Sequence, residues 1–172
     1  MKIAIIGYSG SGKSTLAARL GNKYSIPVLY LDKVHWLPGW TERESQEEIE
    51  MTQKFIDSNF SWVIDGNYSN LLYERRMEEA DMIIFMNFNR FSCLSRILRR
   101  YKANKGKTRD SMTDGCDEKI DAEFVRWVLW DGRTGKHKKR YKALKEKYGG
   151  KLTEIKNSRQ LSVFYSKHEL TY

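Results

Sequence analysis

The chain opens on a short, unbroken apolar run, Ile3-Ala4-Ile5-Ile6, that stops at a glycine-rich segment. Such a run predicts a strand over residues 2–6 buried on both faces, as inner strands of parallel sheets are. From residue 12 to 23 the spacing turns helical, with Leu16, Ala17 and Leu20 on one face. Further strands are predicted at residues 27–31, 62–64, 82–86 and 151–155, the first two closing on Asp32 and Asp65. Helical stretches fall between and after them, at residues 41–58, 70–79, 90–101, 118–130, 133–148 and 158–168. Thr41 with Glu44 three positions on reads as a capping box that opens the first of these. In residues 90–101 the apolar Phe91, Leu94, Ile97 and Leu98 lie opposite a basic face. Residues 102–117 are polar, contain Gly106 and Gly115, show no periodicity, and predict a mobile excursion. Strands alternating with helices predict an α/β domain built on a parallel sheet with right-handed crossovers.

The 172 residues suit one domain with a single core, covering residues 1–172. No apolar run approaches the ~20 residues needed to cross a bilayer, so no membrane association is expected. The apolar N-terminal run meets glycine too early for a signal peptide, which points to a cytoplasmic protein. Cys93 and Cys116 can build neither a disulfide framework nor a four-ligand zinc site, and read as free thiols. The net charge of +9 is unevenly placed. Residues 1–89 hold 9 Lys/Arg against 12 Asp/Glu, a net of −3, and residues 90–172 hold 22 against 10, a net of +12. A basic C-terminal half suits nucleotide phosphates or nucleic acid, with a solvated basic surface as the competing reading.

The strongest signal is Gly7-Tyr8-Ser9-Gly10-Ser11-Gly12-Lys13-Ser14, which matches G-x-x-x-x-G-K-[ST] between a strand and a helix. Glycines at 7, 10 and 12 permit positive φ and keep the concavity clear, so that successive N–H groups, including those at Ser9 and Ser11, turn inward. The following helix aims its positive end at the same place. Lys13 is expected on the β- and γ-phosphates of ATP, Ser14 on magnesium, and Thr15 on the α-phosphate.

Ligands in open parallel sheets sit beyond the carboxyl ends of the strands. Asp65 is placed there to stand behind the magnesium that Ser14 holds, and Asp32 to accept a proton from, or hydrogen-bond, an acceptor hydroxyl. Helix capping or a turn is the alternative for each. His35-Trp36-Leu37-Pro38-Gly39-Trp40 follows at once, and Trp36 and Trp40 could wall a flat or sugar-like acceptor or simply fold back on the core. His35 reads as an acceptor contact or a satisfied loop residue rather than a metal ligand, since no second ligand lies at metal spacing. Arginines lie on both sides of the excursion: Arg96, Arg99 and Arg100 before it, Arg109 within it, Arg133 and Arg140 after it. Guanidinium groups that close over phosphates are what a lid over residues 102–117 would supply. Arg96 is assigned to the nucleotide, Arg100 and Arg133 to the transferring phosphoryl group, and Arg140 to the acceptor.

On these residues the chain resembles the nucleoside-monophosphate-kinase-like branch of P-loop proteins, the fold of adenylate and shikimate kinases. More narrowly it resembles the small adenylate-kinase-related proteins called DNA topology modulation proteins. The residues that carry this are 7–14, Leu31-Asp32 with His35-Trp36 and Pro38-Gly39-Trp40, and Trp62-Val63-Ile64-Asp65-Gly66-Asn67-Tyr68. Ala80-Asp81, Arg99-Arg100, Gly115-Cys116, Phe124, Trp127 and residues 152–164 extend it over nearly the whole chain. The resemblance implies a five-stranded sheet of order 2-3-1-4-5, ATP as donor, a lid, and acceptor contacts from Asp65, Asn67 and Tyr68. Adenylate kinases carry proline and arginine after their Asp-Gly pair; Asn67-Tyr68 stands there in this chain, which leaves the acceptor open.

Two functional classes follow. One is a magnesium- and ATP-dependent small-molecule kinase, monomeric or homodimeric. The other is an ATP-binding DNA topology modulator that grips nucleic acid through the basic half. The acceptor-side residues have no purpose in a pure nucleic-acid binder, and no known nucleic-acid module is present, so the kinase is the preferred expectation.

Overall fold

A computed structural model describes residues 1–170. One sheet of five parallel strands forms its centre: β1 (Lys2–Gly7), β2 (Val28–Tyr30), β5 (Trp62–Asp65), β6 (Met82–Met86) and β7 (Leu152–Ile155). They lie in the order β2-β5-β1-β6-β7, which is 2-3-1-4-5 when only sheet strands are counted. The two missing numbers belong to a separate antiparallel hairpin, β3 (Trp36–Leu37) with β4 (Thr41–Glu42).

Alternation along β1 divides the core. Ile3 and Ile5 face α1 (Lys13–Tyr24), α5 (Arg90–Asn104) and α8 (Ser158–Lys167), packing with Leu16, Leu20, Cys93, Ile97 and Phe164. Ala4 and Ile6 face α3 (Ser45–Ser58), α4 (Tyr73–Glu79) and α7 (Gly135–Tyr148), packing with Ile56, Met77, Tyr141 and Leu144. Both faces of the sheet are therefore covered, which explains why its strands read as continuous apolar runs. Among the described residues no helix is long and apolar enough to cross a membrane.

Three local expectations change. The second strand ends at Tyr30, and Leu31–His35 forms a short helix, α2, so Asp32 sits in a helical first turn instead of on a strand end. Thr41 pairs with Leu37 in the hairpin, and α3 starts only at Ser45, with Glu44 itself accepting from the Gln46 and Glu47 amides. The Pro38-Gly39 turn, with Gly39 at φ 75°, draws Thr41 into strand pairing before a helix can start. The predicted helix at residues 118–130 begins at Ala122 as α6 (Ala122–Leu129), where Asp121 accepts from the Phe124 amide.

The excursion after α5 is anchored at its far end. Gly39 donates its amide to the Gly115 carbonyl at 3.1 Å, and the Thr113 hydroxyl donates to the Trp36 carbonyl at 2.6 Å. Trp40 Nε1 reaches the Asp117 carbonyl at 3.2 Å. The segment thus docks on the aromatic hairpin.

Candidate functional site

Register brings the chemistry to one edge. Asp65 is paired with Ile5 and with Tyr30, and Gly7 with Met86, so the phosphate loop and both aspartates leave the sheet at its carboxyl end. Gly7 has φ 142°, and a Cβ there would lie 2.4 Å from the Met86 carbonyl oxygen, so only glycine lets the loop leave β1 this close to β6. No side chain caps α1, and its first amides are left to face the loop's concavity. Lys13 Nζ donates to the Tyr8 carbonyl at 3.2 Å, folding the ammonium over the loop. Ser11 is fully buried, and among the described residues its hydroxyl has no hydrogen-bond partner.

Two cavities meet over Lys13 and Asp32. The smaller, about 190 Å³, is bordered by Tyr8, Asp65, Asn67, Tyr68, Trp127 and Arg133. The larger, about 740 Å³, runs from Gly10, Gly12, Ser14 and Thr15 past Arg96, Arg100 and Arg109 to Tyr30, Trp36 and Trp40. The phosphate loop, the two tryptophans and the arginines at the excursion thus share one space.

Asp65 is 5% exposed, and burial raises its carboxyl to about 6, with Lys13 and a hydrogen bond from Ser14 pulling the other way. Among the described residues its buried Oδ1 has no hydrogen-bond partner. A carboxylate beside the Ser14 hydroxyl, with a free oxygen, fits a magnesium ion held by Ser14, water and phosphate oxygens. Asp32 accepts from the Tyr68 hydroxyl at 2.8 Å; burial first, and then Asp32, raise the Tyr68 phenol above its ordinary range.

The arginines divide by role. Arg96 donates to the Ser11 carbonyl at 3.0 Å and to Ser158 Oγ at 3.0 Å, lying over the Phe88 ring, and so backs the loop from α5. Arg100 donates to Glu118 Oε1 at 2.7 Å, while Arg109 Nε lies 2.5 Å from Glu118 Oε2 in a charge contact not aligned as a hydrogen bond. Arg133 stacks on Tyr8, 3.7 Å from the ring centroid, and touches Cys93 Sγ at 3.2 Å.

Two expected acceptor contacts sit one layer back. His35 is held by buried Glu48 at 2.6 Å and packs against the rings of Trp36 and Tyr68. Arg140 donates to Asn67 Oδ1 at 2.9 Å, and Asn67 in turn donates to the Tyr141 hydroxyl at 2.6 Å. Neither His35 nor Arg140 borders the two cavities.

Sequence reading missed Glu118 and Arg76. Glu118 looks like any acidic residue at a helix start, and only the fold puts two guanidiniums on it. Arg76 is fully buried and donates to the carbonyls of Leu71, Gly66 and Tyr68, stapling the loop that carries Asn67 and Tyr68. Its position in a helix otherwise rich in charge hides that role.

Comparison with solved structures agrees with this architecture. Deoxyadenosine kinase from M. mycoides, with the products dCMP and a flexible dCDP bound, superposes at a TM-score of 0.53 over 98% of this chain and 99% of that one, at 15% identity. The same enzyme with bound dATP gives 0.53 over 98% and 100%, at 14% identity. This chain has a P-loop kinase fold. TT1252 from Thermus thermophilus superposes at 0.51 over 100% of this chain and 98% of that one, at 17% identity. In sequence, the protein named "Uncharacterized protein YqaC" from Bacillus subtilis (strain 168) is 26% identical over 131 residues, 75% of this chain and 72% of that one. No protein-family model matches.

Proposed function

We propose that the chain is an ATP- and magnesium-dependent phosphotransferase, acting in the cytoplasm on a hydroxyl of a small acceptor. The observation that carries this reading is that Lys13 and Asp32 border both cavities, one bringing the donor phosphates and the other the acceptor hydroxyl to the same point. The acceptor oxygen forms a bond to the γ-phosphorus as the bond to the β,γ-bridging oxygen of ATP breaks. The hydroxyl proton passes to the Asp32 carboxylate, and ADP leaves with the bridging oxygen. Lys13 and Arg133 stabilise charge on the transferring group, and the loop amides hold the β-phosphate. Ser14, with Asp65 behind it, would hold magnesium, which would supply charge neutralisation on the phosphates.

Trp36, Trp40 and Tyr30 give the acceptor end of the larger cavity aromatic walls, which suits a molecule with a flat face. The name of the structural neighbour, deoxyadenosine kinase, puts deoxyribonucleosides first among acceptors to try. The narrower resemblance to DNA topology modulation proteins rests on sequence blocks alone, and none of the proteins named above carries that designation. The test is incubation with labelled ATP, magnesium and a panel of nucleosides, nucleotides, sugars and small acids. Label on no acceptor, with the protein folded, would overturn the reading.

A further inference from the structure

Among the cavities the mechanism leaves unused, one is ringed by cations. It measures about 410 Å³, inside the ~300–1,000 Å³ range of small-molecule sites, and opens on the far side of Tyr8 from the catalytic cavities. Its rim is cationic: Arg90, Arg133, Lys138, Lys142 and Lys145 converge on it. Three of these come from one face of α7, because positions 138, 142 and 145 repeat at helical spacing around Tyr141. Arg90 comes from the first turn of α5 and Arg133 from the 3-10 turn at Asp131–Arg133.

Acidic compensation is sparse. Lys145 pairs with Glu154 at 2.6 Å, and Lys142 lies 3.7 Å from the exposed Glu146. Among the described residues no carboxylate lies within ion-pair distance of Arg90, Arg133 or Lys138. Gathering like charges around a concavity costs free energy unless an anion shares it. An ordinary solvated lysine face would spread these side chains over a convex surface. Here they surround a hollow floored by Phe85, Tyr141 and Asn87.

We infer that this cleft binds a polyphosphate chain, either inorganic or carried by a nucleoside, at a site separate from the phosphate loop. Asn87 at its floor offers a neutral amide, though its Nδ2 is already given to Glu154 at 2.6 Å, so recognition falls to the cations. Tyr8 and Arg133 border both this cleft and the smaller catalytic cavity, and form the wall between them.

The experiment is calorimetric titration of the full chain with inorganic tripolyphosphate and, separately, with ATP, both without magnesium. Wild type, Lys13→Ala and the double variant Lys138→Glu/Lys142→Glu are compared. Tripolyphosphate should still bind Lys13→Ala, whose phosphate loop is disabled. The double charge reversal should weaken that binding by about tenfold or more, and added salt should weaken it in the wild type. Turnover of Mg·ATP without tripolyphosphate should be unchanged in the double variant, whose two replaced lysines are exposed, and its melting transition should match the wild type's. Tighter binding of ATP than of tripolyphosphate in Lys13→Ala would identify a nucleotide as the source; equal binding would identify the inorganic chain. Loss of all tripolyphosphate binding in Lys13→Ala, or full retention after charge reversal, would overturn the inference. Displacement by a single-stranded oligonucleotide far more readily than by ATP would overturn it too, in favour of a nucleic-acid surface. None of these outcomes bears on phosphoryl transfer, which the acceptor panel tests independently.

Discussion

Tyr68 donates its hydroxyl to Asp32 Oδ1 at 2.8 Å, joining segments that follow two neighbouring strands of the sheet. The bond holds the carboxylate in one orientation at the junction of the two cavities. If Asp32 takes the acceptor proton, that orientation matters to rate and not to nucleotide affinity. Tyr68→Phe should therefore lower the transfer rate roughly ten- to hundredfold through misplacement, leaving the dissociation constant of Mg·ATP unchanged. Asp32→Asn should cost ~10²–10⁴-fold in rate with the same unchanged affinity. Stopped-flow transfer rates and equilibrium nucleotide binding, measured side by side, separate the two effects. Weakened Mg·ATP binding in both variants would move Asp32 to the metal site.

Lys13→Ala should abolish magnesium-dependent ATP binding at the phosphate loop, and turnover with it, without unfolding the protein. Among the described residues the ammonium hydrogen-bonds the Tyr8 carbonyl and packs in no core, so its removal leaves the core untouched while stripping a charge-assisted contact from the phosphates. Fluorescence titration with ATP beside a thermal melt checks both halves; a folded variant with wild-type affinity would refute the phosphate-loop assignment.

The sheet and the phosphate loop were legible because each depends on local pattern. Ile3-Ala4-Ile5-Ile6, closed by the glycine-rich segment, reads as an inner strand, and the spacing of Gly7, Gly12 and Lys13 is its own signature. The hairpin was not legible, because Thr41 and Glu44 satisfy a capping pattern and only the pairing of Thr41 with Leu37 tells otherwise. Distant partners were hidden for the same reason. Glu118 meets Arg100 and Arg109, and His35 meets Glu48, through contacts between elements that no spacing along the chain encodes.

The buried Asp65 makes a pH prediction with opposite signs for stability and for metal binding. Its carboxyl titrates near 6 when folded and near 3.8 when not, so below about 4 both states are protonated and the group is neutral to stability. Between these values the folded state binds the extra proton, and stability without ligand falls as pH rises, by ~3 kcal/mol over the window. Asp65→Asn should remove this slope and raise the melting temperature near pH 7. Magnesium-dependent ATP binding needs the ionised form, so in the wild type it should weaken as pH falls below about 6, and it should be lost in Asp65→Asn. Melting curves and magnesium-dependent binding across pH 4–8 supply the check, and a flat stability profile would sink it.

Glu118 neutralises two arginines inside the large cavity. Breaking a dry buried pair costs ~3–5 kcal/mol, but both guanidiniums border the cavity and keep some solvent, so Glu118→Gln should cost about 1–2 kcal/mol. A triphosphate can take the place of the lost carboxylate. The variant's melting temperature should accordingly rise more on adding ATP than the wild type's does. Equal rises in the two proteins would show that the arginines never reach the nucleotide.

The last prediction concerns the docking of the excursion on the aromatic hairpin. Gly115 has φ 83°, and a Cβ placed on it would lie 3.2 Å from Pro38 Cβ, while its carbonyl accepts from Gly39. A larger residue is strained there by its backbone and crowded by Pro38 at once. Gly115→Val should loosen this contact and leave the phosphate loop, more than one element away, intact. Because the hairpin carries Trp36 and Trp40, loosening it should raise the acceptor's KM and leave Mg·ATP affinity unchanged. Hydrogen exchange gives the structural half of the test. In the wild type, residues 36–42 and 105–121 should gain protection together when a non-hydrolysable ATP analogue binds, since hydrogen bonds join them into one unit. In Gly115→Val the two segments should exchange independently. An unchanged acceptor KM, or protection that stays coupled in the variant, would mean that excursion and hairpin do not close the acceptor site as a unit.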